Sequence, residues 1–198
     1  MPGDFCTACG NDTVSERIAT VKHMIGRRDV VIDNDRHLYC STCGNVSYRG
    51  SMLDENQQAI AVKIRTEDGL LTPEELKAIR LKYGFTQAEM EKLLTIGPKT
   101  WVRWERGKVV QSSAADEMIR QLAKNPEVLR DLMKTHHVQS DAAEQMLQSI
   151  DTDLERKMVE RLGRRFPSLS EEVLADVAKL AIAEIRSVHQ ENDGRACA

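Results

Sequence analysis

The chain has 198 residues, of which 41% are hydrophobic, 30% charged and 4% aromatic, and its formal net charge at pH 7 is −3. This length suffices for one or two small domains, and no apolar run approaches the 18 residues of a membrane helix. Because no charged-then-apolar leader opens the chain, we expect a cytoplasmic protein. The net charge is positive between residues 71 and 126 and negative on both sides, which favours the middle of the chain for docking a polyanion.

The first 50 residues carry strand patterns. Residues 16–22 alternate between polar and apolar side chains, and residues 29–33 form a β-branched run. The segment Gly26-Arg27-Arg28 between them predicts a hairpin turn. We therefore expect a small β domain here, followed by a helix over residues 52–65 whose apolar side carries Leu53, Ile60 and Ile64.

Four of the five cysteines form two Cys-x-x-Cys pairs that are separated by 30 residues. The members of the two pairs are Cys6, Cys9, Cys40 and Cys43. In a reducing compartment such pairs bind metal more often than they form disulfides. Four thiolates without another type of ligand favour one structural zinc ion, with iron as a substitute. Gly10 and Gly44 follow the pairs, where a tight metal-binding turn needs a positive φ.

A dithiol redox pair is the alternative interpretation of these cysteines. It requires a Cys-x-x-Cys that opens a helix within a βαβ unit, and neither pair stands in such a pattern. His23 and His37 are expected to be hairpin or surface residues, since four thiolates already complete a ligand set. Cys197 stands alone in a polar tail and is expected to be a free thiol.

Clear start and stop signals mark four short helices between residues 71 and 126. Capping boxes begin at Thr72 and Thr86, and Gly84 is suited to the left-handed position that ends a helix. Pro98 is expected to start a third helix that stops at Gly107, and Ser113 is expected to cap a fourth helix that runs to about Lys124. Helices this short with tight turns predict a compact bundle.

Residues 86–107, TQAEMEKLLTIGPKTWVRWERG, resemble the helix-turn-helix of the Cro/C1 repressor family. The resemblance implies a lambda repressor-like bundle in which residues 98–106 form a recognition helix that enters the major groove of DNA. The DNA-binding residues expected on this basis are Gln87, Lys99, Thr100, Arg103 and Lys108. Trp101 is expected in the core, and Trp104 is expected to pack its ring there while its indole N–H reaches a phosphate.

Two residues depart from the pattern of that family. Glu91 stands where the family has a small residue, on the side of the first helix that faces the second. Thr95 stands where it has glycine, and a left-handed conformation there would cost about 1 kcal/mol.

The fold class expected from these patterns is mainly α, with a small zinc-bound β-containing N-terminal domain and a Cro/C1-type bundle. Two amphipathic helices are expected after residue 132, and they must pack on each other, on the bundle or on a second copy. Dimerisation is the preferred interpretation of this segment, and docking of another partner is the second.

The expected division of the chain into domains is 1–50 for the β domain, 51–70 for a helix and polar linker, 71–132 for the helix-turn-helix domain, 133–190 for the two helices and 191–198 for a disordered tail.

The two features in this order resemble the MqsA (YgiT-type) antitoxin family over about residues 1–132. The matching residues include the two cysteine pairs, the Gly26–Arg28 turn and the helix-turn-helix through Leu129. The resemblance implies a non-enzymatic homodimer that binds a palindromic operator, and a zinc domain that neutralises an RNA-cleaving toxin. Two alternatives stay open, a phage or mobile-element regulator without a toxin and a zinc-stapled protein-interaction module. No nucleophile–base pair, phosphate loop or open metal site can be assembled that would favour an enzyme.

Overall fold

The computed structural model describes residues 5–195, with side chains as far as Ser187. Within this range a three-stranded antiparallel sheet in the order β1-β2-β3 precedes eight helices. The strands are β1 (Val14–Ile25), β2 (Arg28–Cys40) and β3 (Val46–Ser47). The helices are α1 (Gly50–Asp68), α2 (Pro73–Lys82), α3 (Gln87–Leu93), α4 (Thr100–Glu105), α5 (Ser113–Lys124), α6 (Pro126–Thr135), α7 (Asp141–Arg165) and α8 (Glu171–Arg195). The predicted fold class, mainly helical with a small N-terminal sheet and a helix-turn-helix bundle, is confirmed.

The β1–β2 hairpin reverses at the predicted place. Gly26 has a φ of 65°, and Arg28 already begins the second strand. The register of the two strands shifts between Ala19 and Val21, so the buried side of β2 changes along its length. Val30 is buried before the shift and Asp35 after it.

α1 is longer than predicted and buries a different face. It continues through residues 66–68, which were expected to be a polar linker, and ends at Gly69 with a φ of 64°. Asn56 is buried, whereas Leu53 on the predicted apolar side is exposed. The reason is that Asn56 exchanges two hydrogen bonds with the backbone of Arg36 at distances of 2.9 and 3.3 Å, which fastens α1 to β2.

Helices α2 to α6 form a bundle around one core. Trp101, Tyr83 and Phe85 are the largest fully buried side chains, and Leu76 and Leu129 lie in the same cluster. Both predicted capping boxes are present, with Glu75 and Glu89 as the reciprocal partners of Thr72 and Thr86. Gly84 ends the α2 segment with a φ of 66°.

A buried polar network joins α1 to this bundle. Asp116 accepts hydrogen bonds from the backbone N–H of Leu71 at 2.8 Å and from the Gln111 amide at 3.0 Å. Arg65, which is buried, donates to the Gln111 side chain and to the backbone oxygen of Val109. Burial lowers the pKa of the Arg65 guanidinium. The sheet and the bundle are therefore linked through a helix that is hydrogen-bonded to both.

The last two helices form an antiparallel hairpin that joins the bundle through the beginning of α7 and through an ion pair of 3.1 Å between Arg186 of α8 and Glu127 of α6. Ala143 and Leu147 of α7 belong to the main core, and α8 covers α7 with three buried apolar side chains. These are Leu174, Ala178 and Ile182. α8 extends to Arg195, beyond the predicted end at residue 190, so residues 191–195 are helical rather than a disordered tail. Cys197 lies outside the described residues.

Candidate functional site

The four predicted metal ligands lie together at one end of the sheet. Their Sγ atoms all lie within 4.8 Å of one another. The Sγ–Sγ distance is 3.6 Å for Cys6 and Cys43, and 3.7 Å for Cys9 and Cys40. A tetrahedral ion bound at about 2.3 Å from each sulfur would hold its ligands about 3.8 Å apart. The spacing of the four thiolates therefore fits a single metal ion.

Both cysteine pairs adopt the same backbone turn. The N–H of Gly10 donates to the Cys6 oxygen at 2.8 Å, and the N–H of Gly44 donates to the Cys40 oxygen at 2.9 Å. Both glycines have a φ of 74°, which confirms the predicted positive φ. The sequence Cys-x-x-Cys-Gly-Asn occurs in both turns. The cysteine spacing alone predicted the site, and this short repeat is the better signal of two equivalent turns.

The surroundings of the cysteines act differently on different thiols, and those of Cys40 favour its charged form. Thr13 lies 3.4 Å from the Cys40 sulfur. This hydrogen bond, with that of the Cys43 backbone N–H, lowers the pKa of the Cys40 thiol to about 6. The hydrogen bond of the Asn45 backbone acts to lower the pKa of Cys43, but the neighbouring Cys9 thiol and burial outweigh it and raise this pKa to about 12. A thiolate is the form that binds metal, so Cys40 is the ligand that is best prepared for an ion.

The two histidines near the cysteines bind a buried carboxylate instead. Asp35 is fully buried and lies 2.6 Å from His23 Nε2 and 2.8 Å from His37 Nδ1. The Tyr48 hydroxyl donates to the same carboxylate at 3.4 Å. Burial, with the charge of Asp35, raises the pKa of Tyr48 to about 12. Neither histidine belongs to the metal-ligating group found among residues 5–195, in agreement with the prediction.

The segment between α3 and α4 is longer than predicted, because α4 begins later than expected. Thr95 has a φ of 53°, so it takes the left-handed conformation at the position where the repressor family has glycine. Pro98 does not start the next helix, because Lys99 has a φ of 62° and α4 begins at Thr100. The predicted helix over residues 98–106 is therefore shortened to residues 100–105, and Lys99 caps it without a side-chain hydrogen bond.

Glu91, one of the two departures from the repressor pattern, supplies the missing cap. Its Oε1 accepts a hydrogen bond from the backbone N–H of Trp101 at 3.0 Å. This N–H is one of the donors that the first turn of a helix leaves unpaired, and a negative charge there is favourable to the helix dipole. The carboxylate reaches α4 from α3, so it also fixes the position of α4 against its neighbour.

The outer side of α4 carries a line of positive side chains. Lys99, Arg103 and Arg106 follow one another at helical spacing and are all exposed. None of the three has an ion-pair partner in the part of the chain that is described. Thr100 is half-buried beside them. Arg106 was not among the predicted DNA-binding residues, although its position three residues after Arg103, on the same side of a helix, was a usable signal.

The inner side of α4 is closed by aromatic rings and one buried carboxylate. Trp101 and Trp104 are buried, which confirms the core position predicted for Trp101. Glu105 accepts hydrogen bonds from Arg80 Nε at 2.6 Å, Gln87 Nε2 at 2.6 Å and Trp101 Nε1 at 2.7 Å. Burial acts to raise the pKa of Glu105, but these donors outweigh it and the pKa is lowered. The carboxylate is thus charged and holds α2, α3 and α4 together.

The two remaining predicted contacts lie at the edges of this surface. Gln87 begins α3, and its amide donor is held by Glu105. Lys108 follows α4, is exposed, and lies 3.3 Å from Asp54 of α1. Charged side chains are therefore exposed on the side of the bundle where α4 is exposed, namely those of Lys99, Arg103 and Lys108. The Gln87 amide, in contrast, already donates a hydrogen bond to Glu105.

Fold and site together define a mainly helical protein whose small N-terminal sheet carries four cysteines placed to hold a metal ion. Residues 4–133 match the family described as the antitoxin component of the bacterial toxin–antitoxin system, MqsA. The chain belongs to this family. It is similar to Antitoxin MqsA of Escherichia coli (strain K12), with 23% identity over 128 residues that make up 64% of this chain and 98% of that protein. None of the helices in the described range is long and apolar enough to cross a membrane.

Proposed function

We propose that this chain is a non-enzymatic, zinc-binding antitoxin of the cytoplasm that acts as a homodimer and represses its own operon by binding a palindromic DNA site. It also neutralises an RNA-cleaving toxin. The observation that carries the DNA-binding part is the line of unpaired cations on the exposed side of α4. Family membership supports the toxin partner.

DNA binding follows from the dimensions and chemistry of α4. The major groove of B-form DNA accepts an α-helix, and arginine pairs with the two acceptors of guanine. Lys99, Arg103 and Arg106 share the side of α4 that faces away from the core, with Thr100 beside them. Gln87 and Lys108 flank this side as phosphate contacts. Two copies of α4 in a dimer would reach half-sites about 34 Å apart.

We expect Arg103→Ala and Lys108→Ala to weaken DNA binding in different ways. Loss of a base contact should cost about 1–3 kcal/mol on the operator and little on random duplex DNA. Loss of a phosphate contact should weaken both DNAs alike and lower the slope of log affinity against log salt by about 1. Fluorescence anisotropy titrations of both variants at several salt concentrations measure these effects. Equal losses on operator and random DNA for Arg103→Ala would show that Arg103 does not read a base.

Zinc is the ion proposed for the thiolate centre. Four sulfur ligands in tetrahedral geometry form a closed site without a position for water, which suits a structural ion. The metal would hold the two turns that contain Cys6 and Cys40, and thereby the ends of the β1–β2 hairpin.

The free edge of the sheet is the proposed contact with the toxin. β1 lies at the edge of the sheet, and its backbone groups on that side are open to an added strand. Ile18 and Met24 on this strand are 66% and 77% exposed. Exposed apolar side chains beside an open strand are typical of a protein interface.

Ile18→Asp should abolish toxin neutralisation and leave DNA binding intact. A charge at the centre of an apolar contact would be buried without a partner, which costs several kcal/mol. The assay is co-expression with the toxin encoded next to this gene, scored by growth and by co-purification. Val62→Asp on α1, another exposed apolar position, is the control and should neutralise normally. Full protection by Ile18→Asp would exclude this edge as the contact.

A further inference from the structure

The distal half of the α7–α8 hairpin carries apolar side chains that nothing in the described chain covers. α7 and α8 have 25 residues each, or about 37 Å, but only the first turns of α7 join the core of the bundle. Beyond them several large apolar side chains are exposed. They are Leu154, Phe166, Leu169, Val173, Val177 and Leu180. This hairpin lies outside the part of the chain that matches the family, so the family does not explain it.

Three of these residues form a line along α8. Val173, Val177 and Leu180 are spaced by four and three residues, the spacing that produces a narrow apolar seam on a helix. Leu180 is the most exposed of them at 72%. The seam lies beside the side chains of α8 that already pack on α7. We call Val173, Val177 and Leu180 the α8 seam, and it is placed to receive one further helix.

We propose that the α8 seam pairs with the α8 seam of a second copy, in antiparallel orientation and centred near residue 178. In this register Val177 of each copy packs against Leu180 of the other copy. The two residues are offset by about 1.5 Å along the helix axis. The two hairpins then form a four-helix bundle with two-fold symmetry. The inference rests on the homodimer of the proposed function and assigns its interface.

Charged residues beside the seam favour a second copy over another protein. Asp176 and Lys179 lie on the same flank of α8, both are exposed, and neither has an ion-pair partner in the described range. A two-fold axis between two antiparallel α8 helices places this flank of one copy against the same flank of the other copy. Asp176 of one copy then lies near the level of Lys179 of the other, and the reverse pair forms at the same time. In a parallel pair Asp176 would face Ala181, and the charges would have no counterpart.

The first test is the oligomeric state of the full chain by sedimentation velocity. Leu180→Glu should raise the dimer dissociation constant at least ten-fold, because two carboxylates would enter the seam. Leu81→Glu on α2 is the matched control at an exposed leucine, 56% accessible, and should leave the constant unchanged. Far-UV circular dichroism should be the same for both variants. A wild-type dimer that Leu180→Glu leaves intact overturns the α8 interface and leaves the proposed homodimer standing, whereas a wild-type monomer overturns both.

A charge exchange tests whether the partner is a second copy. Lys179→Glu should weaken the dimer several-fold, since the carboxylate introduced by this substitution would meet Asp176 of the partner copy. The double variant Asp176→Lys with Lys179→Glu again places opposite charges at residues 176 and 179 of the two copies. Within each α8 the two residues also keep opposite charges. It should recover the dissociation constant of the wild type. A double variant that dimerises no better than Lys179→Glu overturns the antiparallel register.

Crosslinking tests the orientation of the helices directly. In a Cys197→Ser background with zinc present, Val177→Cys should give a covalent dimer with a short bis-maleimide, because its two copies lie about 3 Å apart along the axis. Val173→Cys should not, since its copies lie about 15 Å apart along the axis. Equal crosslinking at both positions indicates parallel helices and overturns the proposal.

Discussion

Removing the metal ion with a chelator, or replacing Cys40 with serine, is expected to unfold the N-terminal sheet while the helical bundle stays folded. The sheet has few buried apolar side chains apart from its cysteines, chiefly Val30, Ile32 and Leu38. Structural zinc sites contribute about 10–16 kcal/mol to the folding of small domains at neutral pH. Without the ion, nothing would bond together the four sulfur atoms, which lie within 4.8 Å of one another. The bundle has its own core and no metal ligand.

Amide hydrogen exchange measures this effect segment by segment. We expect the backbone amides of β1 and β2 to lose protection after chelation, and those of α2 to α6 to keep theirs. Adding zinc back should restore protection. Cys197→Ser, which removes a cysteine from outside the metal site, is the control and should behave as the wild type. Uniform protection of the sheet without metal would show that the ion is not what holds it.

Glu105→Ala is expected to destabilise the helical bundle by about 3–5 kcal/mol, the typical cost of removing one partner of a buried ion pair. The side chain of Glu105 is only 6% exposed and receives hydrogen bonds from Arg80, Gln87 and Trp101. Its loss would leave Arg80, itself 13% exposed, without its carboxylate. The indole N–H of Trp101 would also lose its acceptor. Urea denaturation followed by tryptophan fluorescence measures the change in the free energy of unfolding.

Asp153→Ala is the matched control for this prediction. Asp153 also bonds two cations, Arg156 and Lys157, but it lies on the surface with 45% of its side chain exposed. Exposed pairs of this kind contribute about 0–1 kcal/mol. Similar losses for Asp153→Ala and Glu105→Ala would mean that Glu105 is not the residue that holds the three helices together.

Local signals in the sequence predicted much of the metal centre and of the bundle. The cysteine spacing and the following glycines identified the two metal-binding turns, since both depend on residues that are neighbours in the chain. The capping boxes at Thr72 and Thr86 were recognisable for the same reason. The unusual position of Thr95 was recognisable too, because the family has glycine there, and Thr95 takes the left-handed conformation that glycine favours.

The features that were missed depend on contacts between distant segments. The buried face of α1 could not be predicted, because Asn56 and Arg65 are polar and become buried only by bonding to β2 and to residues 109–111. The start of α4 was misplaced because a proline usually begins a helix, whereas here Glu91 caps the helix from α3 and Lys99 takes the left-handed turn. Hydrogen bonds of this kind leave no periodic pattern in the sequence.

The central claim is that the exposed side of α4 reads a particular DNA sequence. Its most direct test is a fluorescence anisotropy titration of the wild-type chain with the duplex upstream of its own gene and with a scrambled duplex of the same length and composition. We predict an affinity at least 10³-fold higher for the upstream duplex at physiological salt, the ratio typical of specific DNA-binding proteins. Equal affinities for the two duplexes would contradict the claim.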